Sequence, residues 1–192
     1  MATTTYRYRI YPNKEQAETM ARFFGCARKV YNLCLSWWKE AYGQYKEDGT
    51  PIGKMPDYSY YKSLEEYAYL NECDAVALQQ ARRHFQDAIG SFLKSRKGQR
   101  NEKAAGFPKF KRKGVSKDTY TTFNNNNAVK LSADGRHIRL PKLGDVTHKR
   151  VVAFGMILRQ VHVFVHIEGD DMLKRYHSFF VQFNQGFVHS QR

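Results

Sequence analysis

The residues most strongly suggestive of binding chemistry form a basic stretch between residues 94 and 117. It contains ten lysines and arginines against one acid, Glu102, and so carries +9 of the chain's formal net charge of +14. Phe107 and Phe110 are interleaved with these cations. Cations neutralise a phosphate backbone, and aromatic rings stack on bases or anchor a loop. The stretch therefore predicts contact with nucleic acid; the alternatives are a solvated linker that only maintains solubility and an anionic membrane surface.

Amide side chains form a second chemical group, in the segments 77–80 and 119–127. Each Gln or Asn offers a donor and an acceptor together, which is the pattern needed to read an adenine edge. Exposed glutamines at the start of a helix are also commonly just solvated, and Asn124–Asn127 could equally be turn residues that tolerate a left-handed backbone. Residue chemistry leaves both interpretations open.

The sequence predicts no catalytic residue and no metal site. Metal-dependent phosphodiester cleavage needs clustered carboxylates, and the closest late acids, Glu168, Asp170 and Asp171, are better explained as a solvated turn. His162 and His166 would face one side of a strand, but no third ligand is near them in the sequence. The patterns GxSxG, GxxxxGK[ST] and HExxH are all absent. We therefore expect no cofactor either.

Three cysteines, Cys26, Cys34 and Cys73, include no CxxC pair, so we expect buried thiols in a reducing compartment rather than zinc ligands. No apolar run approaches the roughly 20 residues that span a bilayer. The amino terminus also lacks the apolar core of a signal peptide. These features predict a cytoplasmic protein with no membrane partner.

The elements that position these residues follow the order strand, helices, strands. Alternation over Tyr6–Tyr11 predicts a strand, and Asn13 with Gln16 forms a capping box that starts a long amphipathic helix reaching Tyr42. A shorter helix is predicted over Tyr58–Tyr69, and Asp74 caps a third helix. Because a lone first strand needs partners, we expect the helices to interrupt a β domain. The later strands are predicted at Thr119–Phe123, Ala128–Leu131, His137–Leu140 and Val161–Ile167.

Five short blocks of the sequence occur in the same order as in a known protein family. They are Tyr8–Gln16, Phe24–Asn32, Asp74–Gln80, Gly106–Lys111 and Leu140–Gly144. Together they resemble the amino-terminal half of TnpB, the OrfB-type proteins of bacterial insertion sequences. The resemblance implies an RNA-guided DNA nuclease related to the ancestors of type V CRISPR effectors.

The resemblance also implies a fold, an α+β chain in which an OB-like β-barrel (the wedge domain) is interrupted by an inserted helical bundle. Residues 1–13 would be the first barrel strand and 14–100 the helical recognition insertion. Residues 101–167 would supply the basic loop and the rest of the barrel, and 168–192 an atypical tail.

The partners implied by the resemblance are a guide RNA and double-stranded DNA carrying a short transposon-adjacent motif. By position, the motif-reading residues would be Tyr58, Lys62, Gln79, Asn124 and Asn125. Ala75 replaces a cationic DNA contact of some family members, which leaves the preferred motif open. The nucleic-acid backbone would be bound by Arg28, Lys29, Lys109, Lys111, Arg112 and Lys113.

The family continues into a RuvC-like nuclease domain with three acidic metal ligands and a four-cysteine zinc element, and this sequence stops about where that domain should begin. The family pattern also fades after about His148. We therefore expect a bacterial or archaeal chain that binds nucleic acid but does not cut alone. The alternatives are cleavage with a RuvC-domain polypeptide supplied in trans, an inert truncated transposase remnant, and a repressor that occupies its motif.

Overall fold

The computed structural model of the chain describes residues 3–99, 103–123, 128–148, 158–166 and 178–186. The chain divides into two compact units. One unit combines Met1–Phe24 with Lys117–Arg192 and contains the sheet; the other is the continuous segment Gly25–Ser116 and is helical. We call them the sheet unit and the helical unit. None of the helices in the described ranges is long and apolar enough to cross a membrane.

Helix α1 (Lys14–Asp48) is long because nothing within it breaks the hydrogen-bond ladder. Its start is fixed by the predicted capping box: the Gln16 amide N–H donates to Asn13 Oδ1 at 2.8 Å, and the Asn13 N–H donates to Gln16 Oε1 at 3.0 Å. The helix continues through Gly25 and ends where Gly49 adopts φ +76°, a left-handed conformation that favours glycine. The division between the two units falls inside this helix.

The helical unit also contains α2 (Tyr58–Ser63), a 3₁₀ segment (Glu65–Glu72) and α3 (Ala75–Arg96). The single helix predicted over Tyr58–Tyr69 was therefore wrong in extent, because Leu64 takes an extended backbone (φ −78°, ψ 130°) and separates two short helices. The cap of α3 is confirmed: the Val76 N–H donates to Asp74 Oδ1 at 3.1 Å.

The core of the helical unit joins α1 to α3. Tyr31 and Phe85 meet edge to face with ring centroids 5.6 Å apart. The three cysteines are free and buried, as predicted. The other buried apolar side chains here are Ala27, Val30, Leu35, Tyr61, Leu70, Ala77, Leu78, Ala81 and Ile89.

In the described part of the chain, the sheet unit has seven antiparallel strands in the spatial order β2-β6-β7-β1-β5-β4-β3. As expected, the first strand pairs with late ones: β1 runs against β7 from Thr3↔Gly186 to Ile10↔Phe179, and against β5 at Ile10↔His148. The strands are β1 (Thr3–Tyr11), β2 (Thr119–Phe123), β3 (Lys130–Leu131), β4 (His137–Leu140), β5 (Gly144–His148), β6 (Leu158–His166) and β7 (Ser178–Gly186).

The α+β class is thus confirmed, whereas the sheet is open among the described residues, with β2 and β3 at its edges. Closure into an OB-like barrel stays a prediction. Two strands had no sequence prediction: β5, and β7, which lies within residues 168–192 and between β1 and β6. The predicted strand at Ala128–Leu131 shortens to β3, and β6 starts three residues before the predicted Val161.

The first turns of α1 belong to the sheet unit and cover part of its sheet. Phe23 and Phe24 each place their ring centroids 5.8 Å from that of Tyr120 on β2. Gln16 Nε2 donates to the carbonyl oxygen of Asp145 at 2.9 Å, which fixes the start of α1 against β5. The same residue therefore caps the helix and anchors it.

Candidate nucleic-acid interface

The basic stretch is held on α1 by the side chain of Asn32, which bonds to the backbone N–H and C=O of Lys111 as a neighbouring strand would. Asn32 Oδ1 accepts the backbone N–H of Lys111 at 2.8 Å, and Asn32 Nδ2 donates to the backbone carbonyl of Lys111 at 2.9 Å. Both bonds are partly buried. Two hydrogen bonds to one residue fix its orientation as well as its position. A freely solvated linker does not fit this geometry.

Lys111 is the most enclosed of the cations that the structure describes in the stretch. Its Nζ lies 4.2 Å from the centre of the Tyr31 ring, a distance at which the ring face attracts a positive charge. Burial lowers the pKa of Lys111, and the positive charge of Arg28 lowers it further. Lys111 was predicted to bind nucleic-acid backbone, and the structure places it between the stretch and the helical core.

Residues on both sides of Lys111 in the sequence also contact the helices. Pro108 is buried, and the Phe107 ring meets Phe92 of α3 edge to face at 5.3 Å. Lys39 Nζ lies 5.0 Å from the centre of the Phe110 ring, which is 44% exposed. The segment Gly106–Ser116 therefore contacts both α1 and α3.

The other cations of the segment Gly106–Ser116 are exposed: Lys109, Arg112 and Lys113. A turn holds the last two: the Ser116 N–H donates to the Arg112 carbonyl at 2.9 Å, and the Arg112 N–H donates to Ser116 Oγ at 3.0 Å. Gly114 supplies the positive φ (+77°) that this turn requires. Within the described residues no ion pair neutralises these three side chains, so their field reaches solvent.

Arg28 and Lys29, the two predicted cations on α1, have different surroundings. Arg28 is half-buried, burial lowers its pKa, and its charge acts on Lys111. Lys29 Nζ lies 4.6 Å from the centre of the Tyr67 ring in the 3₁₀ segment. Only Arg28 belongs to the face of α1 on which the basic stretch docks.

The predicted motif-reading residues Tyr58, Lys62 and Gln79 lie on α2 and α3. Tyr58 and Lys62 are one turn apart on α2 and half-buried, while Gln79 is exposed on the first turns of α3. One turn after Gln79, Arg82 holds the entry to α2: Nε donates to the Pro56 carbonyl at 2.9 Å and Nη2 to the Met55 carbonyl at 3.2 Å. These two hydrogen bonds of Arg82, which we call the clasp, fix the start of α2 beside the face of α3 that carries Gln79.

Other predicted residues lie outside the described ranges. These are Asn124 and Asn125, and the acids Glu168, Asp170 and Asp171. No group of three or more potential metal ligands occurs within the ranges that are described. His162 and His166 are on β6.

Sequence reasoning missed the two side chains that organise this surface, Asn32 and Arg82. Both act on backbone atoms distant in sequence, and neither residue type marks such a role by itself. The only signal was indirect: Asn32 ends one of the five blocks, and Lys111 ends another.

Comparison with known proteins places the sequence in context. The OrfB/IS605 helix-turn-helix domain model matches residues 1–47. In the structure, residues 3–47 form β1 and nearly all of α1, with no turn inside the helix. The sequence is 37% identical over 91 residues to a candidate RNA-guided DNA endonuclease of Streptomyces pristinaespiralis, covering 47% of this chain and 23% of that protein.

A similarly named protein of Escherichia coli, InsQ, is 29% identical over 140 residues, covering 72% of this chain and 32% of that protein. Virulence protein VsdF of Salmonella dublin is 33% identical over 115 residues, covering 54% of this chain and 88% of that protein. The chain thus spans a third or less of the two endonuclease relatives and most of VsdF.

The matched domain and the named relatives place this chain among transposon-encoded proteins. More narrowly, the chain belongs to the TnpB/OrfB family, and it spans a third or less of the relatives that are named RNA-guided DNA endonucleases.

Proposed function

We propose that the chain is a nucleic-acid-binding part of a TnpB-like transposon protein, and that its helical unit holds a guide RNA and a short transposon-adjacent DNA motif. The observation that carries the proposal is the docking of Lys111 on Asn32. It converts the basic stretch into an ordered surface with Lys109, Arg112 and Lys113 facing solvent. Fixed cations bind phosphates without first losing loop entropy. An OB-like barrel completing the sheet unit belongs to the same proposal.

The test neutralises the exposed cations and leaves the docking intact. The triple variant Lys109→Gln, Arg112→Gln, Lys113→Gln keeps Lys111 in place over Tyr31. If each cation contacts a phosphate, the slope of log affinity against log salt should fall by about 2–3, since each contact contributes roughly 0.7–0.9. The measurement is a salt titration of binding to RNA and to duplex DNA.

A matched control removes the same charge elsewhere. The triple variant Lys14→Gln, Lys130→Gln, Arg139→Gln changes three exposed cations of the sheet unit and has the same net charge. It should retain most of the affinity and slope. Equal losses in the two triple variants would mean that only the overall charge of the protein attracts nucleic acid, and the proposed surface would be wrong.

Motif reading is proposed for Tyr58, Lys62 and Gln79, supported by the clasp that fixes α2 beside α3. Gln79 is the best probe because it is exposed and contributes no core packing. Gln79→Ala should weaken binding to the preferred motif by about 5- to 150-fold, the value of one bidentate base contact, and should hardly change binding to other duplexes. Equal weakening on all duplexes would indicate a backbone contact instead.

We also propose that this chain contributes binding and that cleavage requires a RuvC-domain polypeptide. Specific DNA cleavage by the purified chain with Mg²⁺ would contradict this. Co-purification with a nuclease polypeptide would identify the partner in trans.

A further inference from the structure

The carboxyl-terminal half of α1 carries a stack of three aromatic rings that the core does not use. Trp38 and Tyr42 lie with ring centroids 6.4 Å apart and planes inclined by 7°; Tyr42 and Tyr45 lie 6.3 Å apart at 21°. Tyr42 is 41% exposed and Tyr45 is 50% exposed. Side chains with this much apolar area at the surface are candidates for an interface.

Helix geometry places these rings on one face, since residues at i, i+4 and i+7 fall within about 60° of each other. Tyr31, seven residues before Trp38, belongs to the same face and is covered by Phe85 and Lys111. The face is therefore core at Tyr31, and it opens to solvent by Tyr42 and Tyr45.

Cations line one side of this aromatic face. Lys39 and Lys46 are seven residues apart and lie roughly 90° around the helix from the rings. Lys46 Nζ is 5.1 Å from the centre of the Tyr42 ring, and Lys39 reaches Phe110 of the basic stretch. The acids Glu40 and Glu47 lie on the far side of the helix, about 180° from the rings. Asp48, the last residue of the helix, lies roughly 90° from the rings on the side away from the lysines, and its Oδ1 accepts the Thr50 N–H at 2.8 Å.

We propose that Trp38, Tyr42 and Tyr45, with Lys39 and Lys46, form a stacking platform for a single-stranded segment of nucleic acid. A base continues the stack on Tyr45, and the phosphates lie along the lysine side toward the basic stretch. Parallel exposed rings beside a row of cations are how proteins bind single strands without reading sequence. The inference rests on the proposed function and adds to it a second, base-dependent site.

Charge complementarity selects this occupant over a helix of another protein. The side of the ring face toward the basic stretch is cationic, and it is continuous with a stretch that carries +9 over residues 94–117. A protein helix covering the same rings would need acidic side chains toward the lysines. A nucleic-acid strand supplies both the flat apolar groups and the anionic backbone.

The test compares strands that differ only in their bases. Fluorescence anisotropy would measure binding of the full chain to labelled oligoadenylate of about 12 nucleotides, as RNA and as DNA, and to an abasic strand of equal length. Tyr42→Ala and Tyr45→Ala should each weaken binding to one or both oligoadenylates by about 5- to 150-fold, the loss of one stacked base. Binding to the abasic strand should stay within about twofold. Whichever oligoadenylate is more sensitive identifies the natural strand.

Two control variants separate stacking from general damage. Tyr45→Phe keeps the ring and should bind like the wild type. Tyr69→Ala removes another tyrosine of the helical unit, 44% exposed, that is not in the stack, and it should also bind normally. Circular dichroism of all four variants should match the wild type.

The outcomes are distinguishable. Failure of the wild type to bind any strand at low ionic strength would overturn the proposed function. Binding that is equal on abasic and base-bearing strands, or unaffected by Tyr42→Ala and Tyr45→Ala, would overturn the stacking platform and leave the basic surface standing.

Discussion

Replacing Asn32 by alanine should release the basic stretch from α1 while leaving every cation in the protein. The two bonds that Asn32 makes to the Lys111 backbone, at 2.8 and 2.9 Å, are both lost. A partly buried hydrogen bond contributes a net ~0.5–1.5 kcal/mol, so the docked state should lose ~1–3 kcal/mol. The equilibrium between docked and released segment should then shift by about 5- to 150-fold.

Hydrogen exchange at the Lys111 amide measures this shift directly. That N–H is held by Asn32 Oδ1, so its exchange should accelerate by the same 5- to 150-fold in Asn32→Ala. Local exchange is the appropriate measurement because the chain has two compact units and a single global transition need not report on either one. RNA affinity at low ionic strength should fall in parallel, although net charge is unchanged.

Two further variants serve as controls. Lys111→Met removes a charge but keeps both backbone bonds, so the Lys111 position should exchange as slowly as in the wild type. Gln44→Ala removes an exposed amide from the same helix and should change neither exchange nor affinity. If Asn32→Ala leaves exchange and affinity unchanged, the docking of the stretch does not organise the binding surface.

Three other side chains give independent predictions. Arg82→Ala should destabilise the helical unit by ~3–6 kcal/mol and speed proteolysis between residues 50 and 57, because two charged hydrogen bonds to backbone carbonyls are lost. Unaltered cleavage would show that these two bonds do not hold the start of α2. Tyr61→Phe should leave stability unchanged or raise it by up to ~1 kcal/mol in urea unfolding, because this buried hydroxyl has no hydrogen-bond partner among the described residues; a clear loss of stability would reveal one. Burial raises the pKa of Cys34 from 9.0 to about 11, so the native thiol stays neutral where the unfolded thiol ionises, and stability should fall as pH rises from 9 to 11. Cys34→Ala should make that pH dependence shallower without abolishing it, because a hydrogen bond with Cys26 and burial also raise the pKa of Cys73. An unchanged slope would assign the whole dependence to other groups.

Local signals predicted much of the fold. The capping box at Asn13, the cap at Asp74, and the strands Thr119–Phe123 and His137–Leu140 all match the structure. In each case the determinant lies within a few residues, where capping bonds and alternation of side chains act.

Long-range pairing was much harder to predict. β5 begins with Gly144 and Asp145, which are poor strand formers, and its conformation depends on pairing with β1 and β4. β7 depends on partners at the other end of the chain. The Asn32–Lys111 contact spans 79 residues, so no local pattern could show that the basic stretch docks on α1. The charge of the candidate site was therefore predictable from the sequence, and its attachment was not.

Because β7 lies between β1 and β6, the sheet cannot be completed before β7 has been synthesised. A ribosome has already released the continuous helical unit when it reaches Ser178, whereas β1, translated well before, still lacks the neighbour that covers its edge from Thr3 to Ile10. Until β7 has emerged and paired, the edges of β1 and β6 that it covers expose unpaired backbone groups to other nascent chains. Cellular yield should therefore depend on the codons for Ser178–Gly186, which are far in sequence from the residues proposed to contact nucleic acid.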